Sequence, residues 1–578
     1  MATGKALDGK PYAGNPHVAP SQCYGGTGRF DEGEVAPCTA AIETEGRNSP
    51  SIAKGLPTLR RVHCRRQPEA MTRPQVASRS EVARGLRASV CAATPRRGSL
   101  LYNKIGVLSC AILVLSSCRL SAADTVKAAW FAQDISCKVG TPLAGYGPDD
   151  ISVAKLDDLQ LHGLALDDGG AKTLLISFDL LGMDADLIRR MRHACASILG
   201  VEDKNVMLTC THTHGGPHVR RYSKKKKYGV KSDPFEKAED IDAEYVAFLE
   251  SATVDAVKRL VEDGKWRECR VGFFSSQCDE NRNRRYTTVE NCASFIAHRR
   301  TLHQIATGIA DKELGTIALL DAETYEPLYV IGNYAAHPLA SHAPGKGGLR
   351  ITSDFPGFYR RYVESETGAA AMFVSGACGD LVPKGDELGV NAARKVGENL
   401  AMASVAALCD IKRNAGRFVM ERPRLGASIV TMESRLRAPY RKMFGRDTEK
   451  MELQVLSIGD VAFVGVPGEL VNELGLEIKW HSPFKRTFIA YCATDYFGYI
   501  STLNQVAAGG YEPQSQHFAS RDTLRLVATA QEALLDLRAK VFPEDCTGDD
   551  PYPDNLALPL VNLPGGVKAS KWQRSAEK

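Results

Sequence analysis

An apolar, β-prone run, Asn205-Val206-Met207-Leu208-Thr209-Cys210, stops at Thr211-His212-Thr213-His214 and passes into Gly215-Gly216-Pro217-His218. Neutral imidazole is the commonest metal ligand and titrates near neutrality, so this pair suits metal binding or proton transfer. Side chains two apart on an extended segment point the same way, which predicts that both rings face one pocket. Gly-Gly-Pro then turns the backbone away. A polar loop of ordinary hydrogen-bonded histidines fits the same letters, so the weight of the pair depends on what accompanies it.

Further chemistry-bearing residues stand where other apolar runs stop. Tyr334-Ala335-Ala336-His337-Pro338 follows one, Pro467-Gly468-Glu469 a second, and Asp495 to Thr502, with Tyr499 inside it, a third. Two histidines, a carboxylate and one more donor make a catalytic zinc shell with a position left for water, provided these strand ends converge on one rim of a sheet. Zinc lowers the pKa of that water and polarises a carbonyl, so hydrolysis follows. Each residue alone has a structural reading: His337 before a proline, Glu469 in a helix first turn, Tyr499 as packing. Glu280-Asn281-Arg282-Asn283-Arg284-Arg285 is an arginine-dense turn suited to a carboxylate or oxyanion, or a surface loop.

The elements that must hold these residues alternate in type. Lys172–Asp179 reads as a buried strand, Asp184 caps a helix running to Leu199, and Gly200 stops it. With the strand from Asn205 this makes a β-α-β unit whose second strand carries His212 and His214 at its carboxyl end, where α/β sheets place ligands. An amphipathic helix spans Ala243 to Val261, with Val246, Leu249, Val257, Leu260 and Val261 on one side. Strands are expected over 271–274, 315–320, 328–333, 371–375 and 487–492, and a hairpin over 453–466. Helices are expected from Ser353-Asp354 and over 521–541, and Leu143-Ala144-Gly145-Tyr146-Gly147 reads as a turn before a hairpin. The fold class is α/β: a large mixed sheet with helices packed on it. No repeat, heptad pattern, dinucleotide loop, Walker loop or nucleophile elbow interrupts it.

Composition bounds the rest. The 578 residues carry a formal net charge of +5, but residues 1–100 hold 15 Lys/Arg against 8 Asp/Glu, leaving the remainder at −2. Nothing in that balance asks for a nucleic-acid partner. Residues 1–100 lack periodicity and read as disordered, an over-extended translation start preceding the mature protein. Residues 101–123, with Lys104, an apolar core and Ser121-Ala122-Ala123, read as a signal peptide, and Leu115-Ser116-Ser117-Cys118 as an alternative lipobox anchored at Cys118. The catalytic domain is expected over 124–545 and an irregular tail over 546–578. Export, whether periplasmic, extracellular or lipid-anchored, permits disulfides, and Cys269, Cys278 and Cys292 are close enough in sequence to supply one. The basic run Arg220–Lys227 reads as a solvated loop, or as a positive rim attracting anionic substrates or membrane headgroups.

Thr211-His212-Thr213-His214-Gly215-Gly216-Pro217 resembles the THTHSGP motif of the neutral/alkaline, non-lysosomal ceramidases. Asn333-Tyr334-Ala335-Ala336-His337-Pro338, Ser353-Asp354-Phe355-Pro356-Gly357, Gly376-Ala377-Cys378-Gly379-Asp380 and Val466-Pro467-Gly468-Glu469 are similar to that family's segments, in the same order. So are Tyr499-Ile500-Ser501-Thr502 and Gly510-Tyr511-Glu512. The resemblance implies one zinc per chain held by His212, His337, Glu469 and Tyr499, with His214 beside the activated water, Tyr511 near the carbonyl oxygen and Arg284 contacting the site. It implies hydrolysis of a lipid-like N-acyl amide, with peripheral contact to a membrane surface. Two departures stand out. Val382 occupies the place of the family's active-site serine, and the chain ends soon after Val541, where the family continues into a β-sandwich. A zinc hydrolase of the same fold acting on another amide or ester, and a non-catalytic binding protein on this scaffold, are the competing readings.

Overall fold

The structure is a computed structural model that describes residues 124–145, 151–219, 243–287, 293–295, 308–342, 348–384 and 388–545. Residues 1–123, on which the readings of a disordered segment and of a signal peptide with Cys118 fall, the basic run 220–227, Cys292 and the tail 546–578 lie outside the described residues.

Two sheets form the framework. The large one has eight strands in the order Ala370–Ser375, Pro327–Tyr334, Glu313–Asp321, Arg267–Gln277, Val126–Asp134, Gln160–Asp167, Lys172–Phe178, Val206–Cys210. Its pairings are antiparallel except at its two ends, where Pro327–Tyr334 runs parallel to Ala370–Ser375 and Lys172–Phe178 parallel to Val206–Cys210. The smaller sheet has four strands, Leu425–Arg435, Thr448–Ile458, Val461–Gly465 and Arg486–Ala490, its last pair again parallel. A parallel pair needs a crossover connection. The helix Ala185–Leu199 supplies one and Asp354–Thr367 another, so both ends of the large sheet are β-α-β units.

The two sheets face each other across one apolar layer. Val271, Ile317, Ile331, Met372 and Leu175 from the large sheet meet Leu456, Val461, Phe463 and Phe488 from the small one. The helices Asp354–Thr367 and Val390–Arg413 cover one end of the large sheet, and Ala185–Leu199 with Ala243–Asp263 the other. The helix Arg521–Val541 packs on the small sheet through Leu526, Val527, Ala530, Leu534 and Leu537.

The large sheet curls until its ends meet. Ser177 Oγ donates to the Phe373 carbonyl at 2.6 Å, joining strands from opposite ends of the order. Tyr491, just past the small sheet's edge strand, lies between them: its N–H donates to Ser375 O at 3.1 Å, and its carbonyl accepts from Thr209 Oγ1 at 2.7 Å.

Most expected elements are present with ends moved by a residue or two. The helix from Ala243 buries Leu249, Val257 and Leu260 as expected and packs Val246 on the core, while Val261 is exposed and Tyr245, Thr253 and Ala256 complete the buried face. Asp184 stands at the N-cap position of its helix but makes no side-chain cap bond; the N–H of Ala185 is taken by Asp495 Oδ1 at 3.0 Å. The helix Val390–Arg413 escaped the sequence reading because its core face is largely small: Ala393, Gly397, Ala401, Ser404 and Ala407. Small residues let it approach its neighbour closely: a Cβ on Gly397 would lie 2.6 Å from Phe355 O. No disulfide joins the cysteines among the described residues. Cys269 lies within the strand Arg267–Gln277 and Cys278 just beyond it, about 30 Å apart at strand rise, far outside disulfide reach.

Candidate metal centre

His212 follows the strand Val206–Cys210 and is held by its own backbone, its N–H donating to Leu180 O at 2.9 Å. It adopts φ 67°, a left-handed conformation unusual for a residue with a side chain. The segment is therefore not extended through His212, and the alternation rule does not explain why His212 and His214 face the same pocket. They do so because the backbone reverses hand, leaving the ring centroids 5.3 Å apart and nearly perpendicular. His337 arrives from the other end of the large sheet, its ring 4.8 Å from that of His212 and 5.8 Å from that of His214. The two loops are tied together, with His214 N–H donating to Pro338 O at 3.2 Å. Suitable ligand atoms of His212, His214 and His337 all lie within 4.8 Å of one another.

Hydrogen bonds set the tautomers. His212 Nδ1 lies 2.7 Å from Leu181 O, and His337 Nδ1 lies 2.5 Å from Cys378 O and 3.2 Å from Leu381 O. A carbonyl only accepts, so each Nδ1 carries the hydrogen, and in the neutral ring the lone pair is on Nε2. Anchoring the second ring nitrogen in this way is how metal-binding imidazoles are oriented.

Glu469 comes from the small sheet's side, just after Val461–Gly465. Its N–H donates to Gly498 O at 2.8 Å, and it pairs in parallel register with Tyr499. Glu469 Oε2 stands 3.4 Å from His212 Nε2 and 3.3 Å from His337 Nε2. All three atoms are buried and have no hydrogen-bond partner among the described residues. His337 is pushed down to about 4 by burial first and then by Arg284, so it carries no proton at neutral pH. Three buried acceptors facing one another repel unless a cation lies among them. Ligands at about 2.0–2.1 Å on a tetrahedral zinc stand about 3.3 Å apart, which matches both nitrogen-to-oxygen separations. The donor set fits the zinc that the sequence resemblance implies.

Tyr499 and Arg284 form the wall beside Glu469. Arg284 Nη2 donates to Tyr499 Oη at 3.0 Å and to Gly379 O at 2.7 Å, while Nε donates to Glu512 Oε1 at 2.8 Å. Burial drives the Tyr499 pKa far upward, with Arg284 opposing it. Tyr511 is 45 % exposed at the rim, its ring 5.4 Å from that of Tyr499 and 5.7 Å from the Arg284 guanidinium carbon. Half-buried His214 has a pKa lowered well below the ordinary value, by burial first and then by the neighbouring imidazoles. Gly145 packs on it so closely that a Cβ there would lie 2.2 Å from His214 Nδ1.

All seven residues singled out in the sequence are thus gathered at one place, though not on the rim of a single sheet. His212 and His337 follow strands near opposite ends of the large sheet, and Glu469 and Tyr499 come from the side of the small one. The sequence reading missed Tyr496, whose hydroxyl donates to Glu469 Oε1, and Glu512, whose buried carboxylate accepts from both Arg284 and Arg285. Both lie in stretches already singled out, Asp495–Thr502 and Gly510-Tyr511-Glu512; spacing alone did not separate supporting residues from ligands.

No protein-family model and no curated protein matches the chain. Solved structures do. The crystal structure of neutral ceramidase from Pseudomonas aeruginosa is 14% identical, with a TM-score of 0.57 over 72% of this chain and 75% of that one. The fold is that of neutral ceramidase. A ceramidase complexed with C2 agrees, at 14% identity and a TM-score of 0.57 over 74% of this chain and 78% of that one. At such low identity the likeness to the ceramidases concerns the fold, and what this chain does rests on its own residues.

Proposed function

We propose that this chain is an exported, zinc-dependent amidohydrolase of neutral ceramidase type, its catalytic domain spanning 124–545, that cleaves the amide of an N-acyl, sphingoid-like lipid. The observation that carries the reading is the buried trio of His212 Nε2, His337 Nε2 and Glu469 Oε2, 3.3–3.4 Å apart across the carboxylate oxygen and without hydrogen-bond partners among the described residues. These residues, with Tyr499 as the fourth ligand, would hold one zinc. Zinc supplies Lewis acidity, polarising an amide carbonyl and lowering the pKa of water.

The remaining residues have roles that follow from their placement. His214 stays neutral at pH 7 and takes a proton from the water that attacks the amide carbon. It returns that proton to the nitrogen as the C–N bond breaks, giving a carboxylic acid and an amine. Tyr511, at the rim, donates to the carbonyl oxygen as negative charge develops there, and the Arg284 cation beside it favours that charge. Exposed Val139, Ile151 and Val153 lie on two segments bridged at Pro142 and Ile151 and offer apolar surface for contact with lipid. Among the described residues no helix is long and apolar enough to cross a membrane.

Val382 favours a second reading of the substrate. It is buried one residue after Leu381, whose carbonyl lies 3.2 Å from His337 Nδ1, and it has no hydroxyl to offer. The same centre would then serve a simpler amide or ester. Metal analysis, with hydrolysis of a fluorescent N-acyl-sphingosine measured beside a plain N-acyl amine, tests both readings. About one zinc per chain and chelator-sensitive turnover are expected; a chain that binds no zinc, or hydrolyses neither compound, refutes the proposal.

A further inference from the structure

The Glu469 carboxylate is asymmetric in its surroundings. Oε2 faces the two imidazole nitrogens, whereas Oε1 accepts the hydroxyl of Tyr496. We propose that Tyr496 is a positioning residue that restricts Glu469 to attachment through Oε2 alone, which keeps a place in the metal shell open. The inference rests on the zinc reading above. A carboxylate can attach through one oxygen or both, and a catalytic zinc needs an open position. A hydroxyl hydrogen-bonded to Oε1 makes attachment through both oxygens unfavourable.

Tyr496 is itself held on three sides. Asp495 Oδ1 accepts the Tyr496 N–H at 2.7 Å and the Ala185 N–H at 3.0 Å, pinning the loop to a helix start. The next residue, Phe497, donates its N–H to Pro467 O at 2.9 Å, two residues before Glu469. Beneath the ring lies Gly182, where a Cβ would come within 2.8 Å of Tyr496 Cδ2. Gly182 follows Leu181, whose carbonyl orients His212. One short segment therefore sets both the tautomer of one imidazole and the seat of the tyrosine that fixes the carboxylate.

The test uses the full chain with cobalt(II) in place of zinc. Tyr496→Phe is expected to weaken metal affinity by about 10–100-fold and to weaken and shift the visible cobalt band as Oε1 joins the shell. It should also lower kcat more than it changes KM. Gly182→Ala, which displaces the ring but keeps the hydroxyl, should move affinity and spectrum the same way by less, and it carries the test if Tyr496→Phe does not fold. Unchanged affinity and spectrum in the folded variant, alongside metal loss in His212→Ala, overturns the inference and leaves the zinc reading intact. A wild-type chain that takes up neither cobalt nor zinc overturns both.

Discussion

Replacing Glu469 by Gln should invert the usual effect of damaging an active site. In the metal-free wild type, three buried acceptors face one another with no hydrogen-bond partner among the described residues, and each such atom costs about 1–3 kcal/mol. A glutamine that keeps its oxygen at Oε1 for Tyr496 places its NH2 where Oε2 stood, 3.3–3.4 Å from both imidazole nitrogens. That group donates, so one imidazole lone pair is satisfied and the buried anion is removed. Metal-free Glu469→Gln should therefore be more stable than the metal-free wild type by about 1–3 kcal/mol. Zinc should close or reverse that gap. At 1,000 times Kd it adds about 4 kcal/mol to the wild type. Loss of an anionic ligand weakens affinity at least as much as loss of its supporting partners, about 100-fold, which at the same zinc concentration leaves the variant only about 1.4 kcal/mol. Urea unfolding with chelator and with buffered zinc reads both differences from shifts in midpoint at constant slope. The reasoning fails if the metal-free variant is the less stable protein, or if zinc stabilises both equally.

Three further outcomes are expected. Gly145→Ala puts a methyl 2.2 Å from His214 Nδ1 at a position with φ 90°, so kcat should collapse while zinc content stays near wild type; a simultaneous loss of zinc would show that the ligands, not His214, had moved. The His337 pKa is depressed from 6.5 to about 4, so its contribution to the metal-free fold is present above pH 6.5 and lost as pH falls through 4, a term on the order of 3 kcal/mol; unfolding of His337→Gln measured from pH 7 to 4 should show a shallower acid slope. Arg360 pairs with buried Asp179 through both nitrogens, at 3.0 and 2.6 Å, and Asp179 also accepts Thr211 Oγ1 beside His212. Arg360→Met should cost about 3–5 kcal/mol in urea unfolding and weaken zinc binding as well; a loss below 1 kcal/mol would mean the pair is replaceable by packing.

The residue types and their order along the chain are local properties, and they were legible. A strand ending in His-x-His before Gly-Gly-Pro, a second strand ending in His337 and a third in Glu469 state a donor set without reference to the fold. The β-α-β unit around Ala185–Leu199 was equally legible, because its periodicity and its stop at Gly200 are written in neighbouring residues. What sequence could not decide is proximity. Six strand spacings separate the strands preceding His212 and His337 in the order of the large sheet, about 29 Å in a flat sheet, yet the two rings stand 4.8 Å apart. Accumulated strand twist curls the sheet until Ser177 bonds to Phe373 and Tyr491 bridges the ends. That closure is a sum over every strand pairing, so no window of sequence contains it. The same holds for Tyr496, Gly182 and the carbonyls of Leu181 and Cys378, whose roles come from what folding sets beside them rather than from what they are.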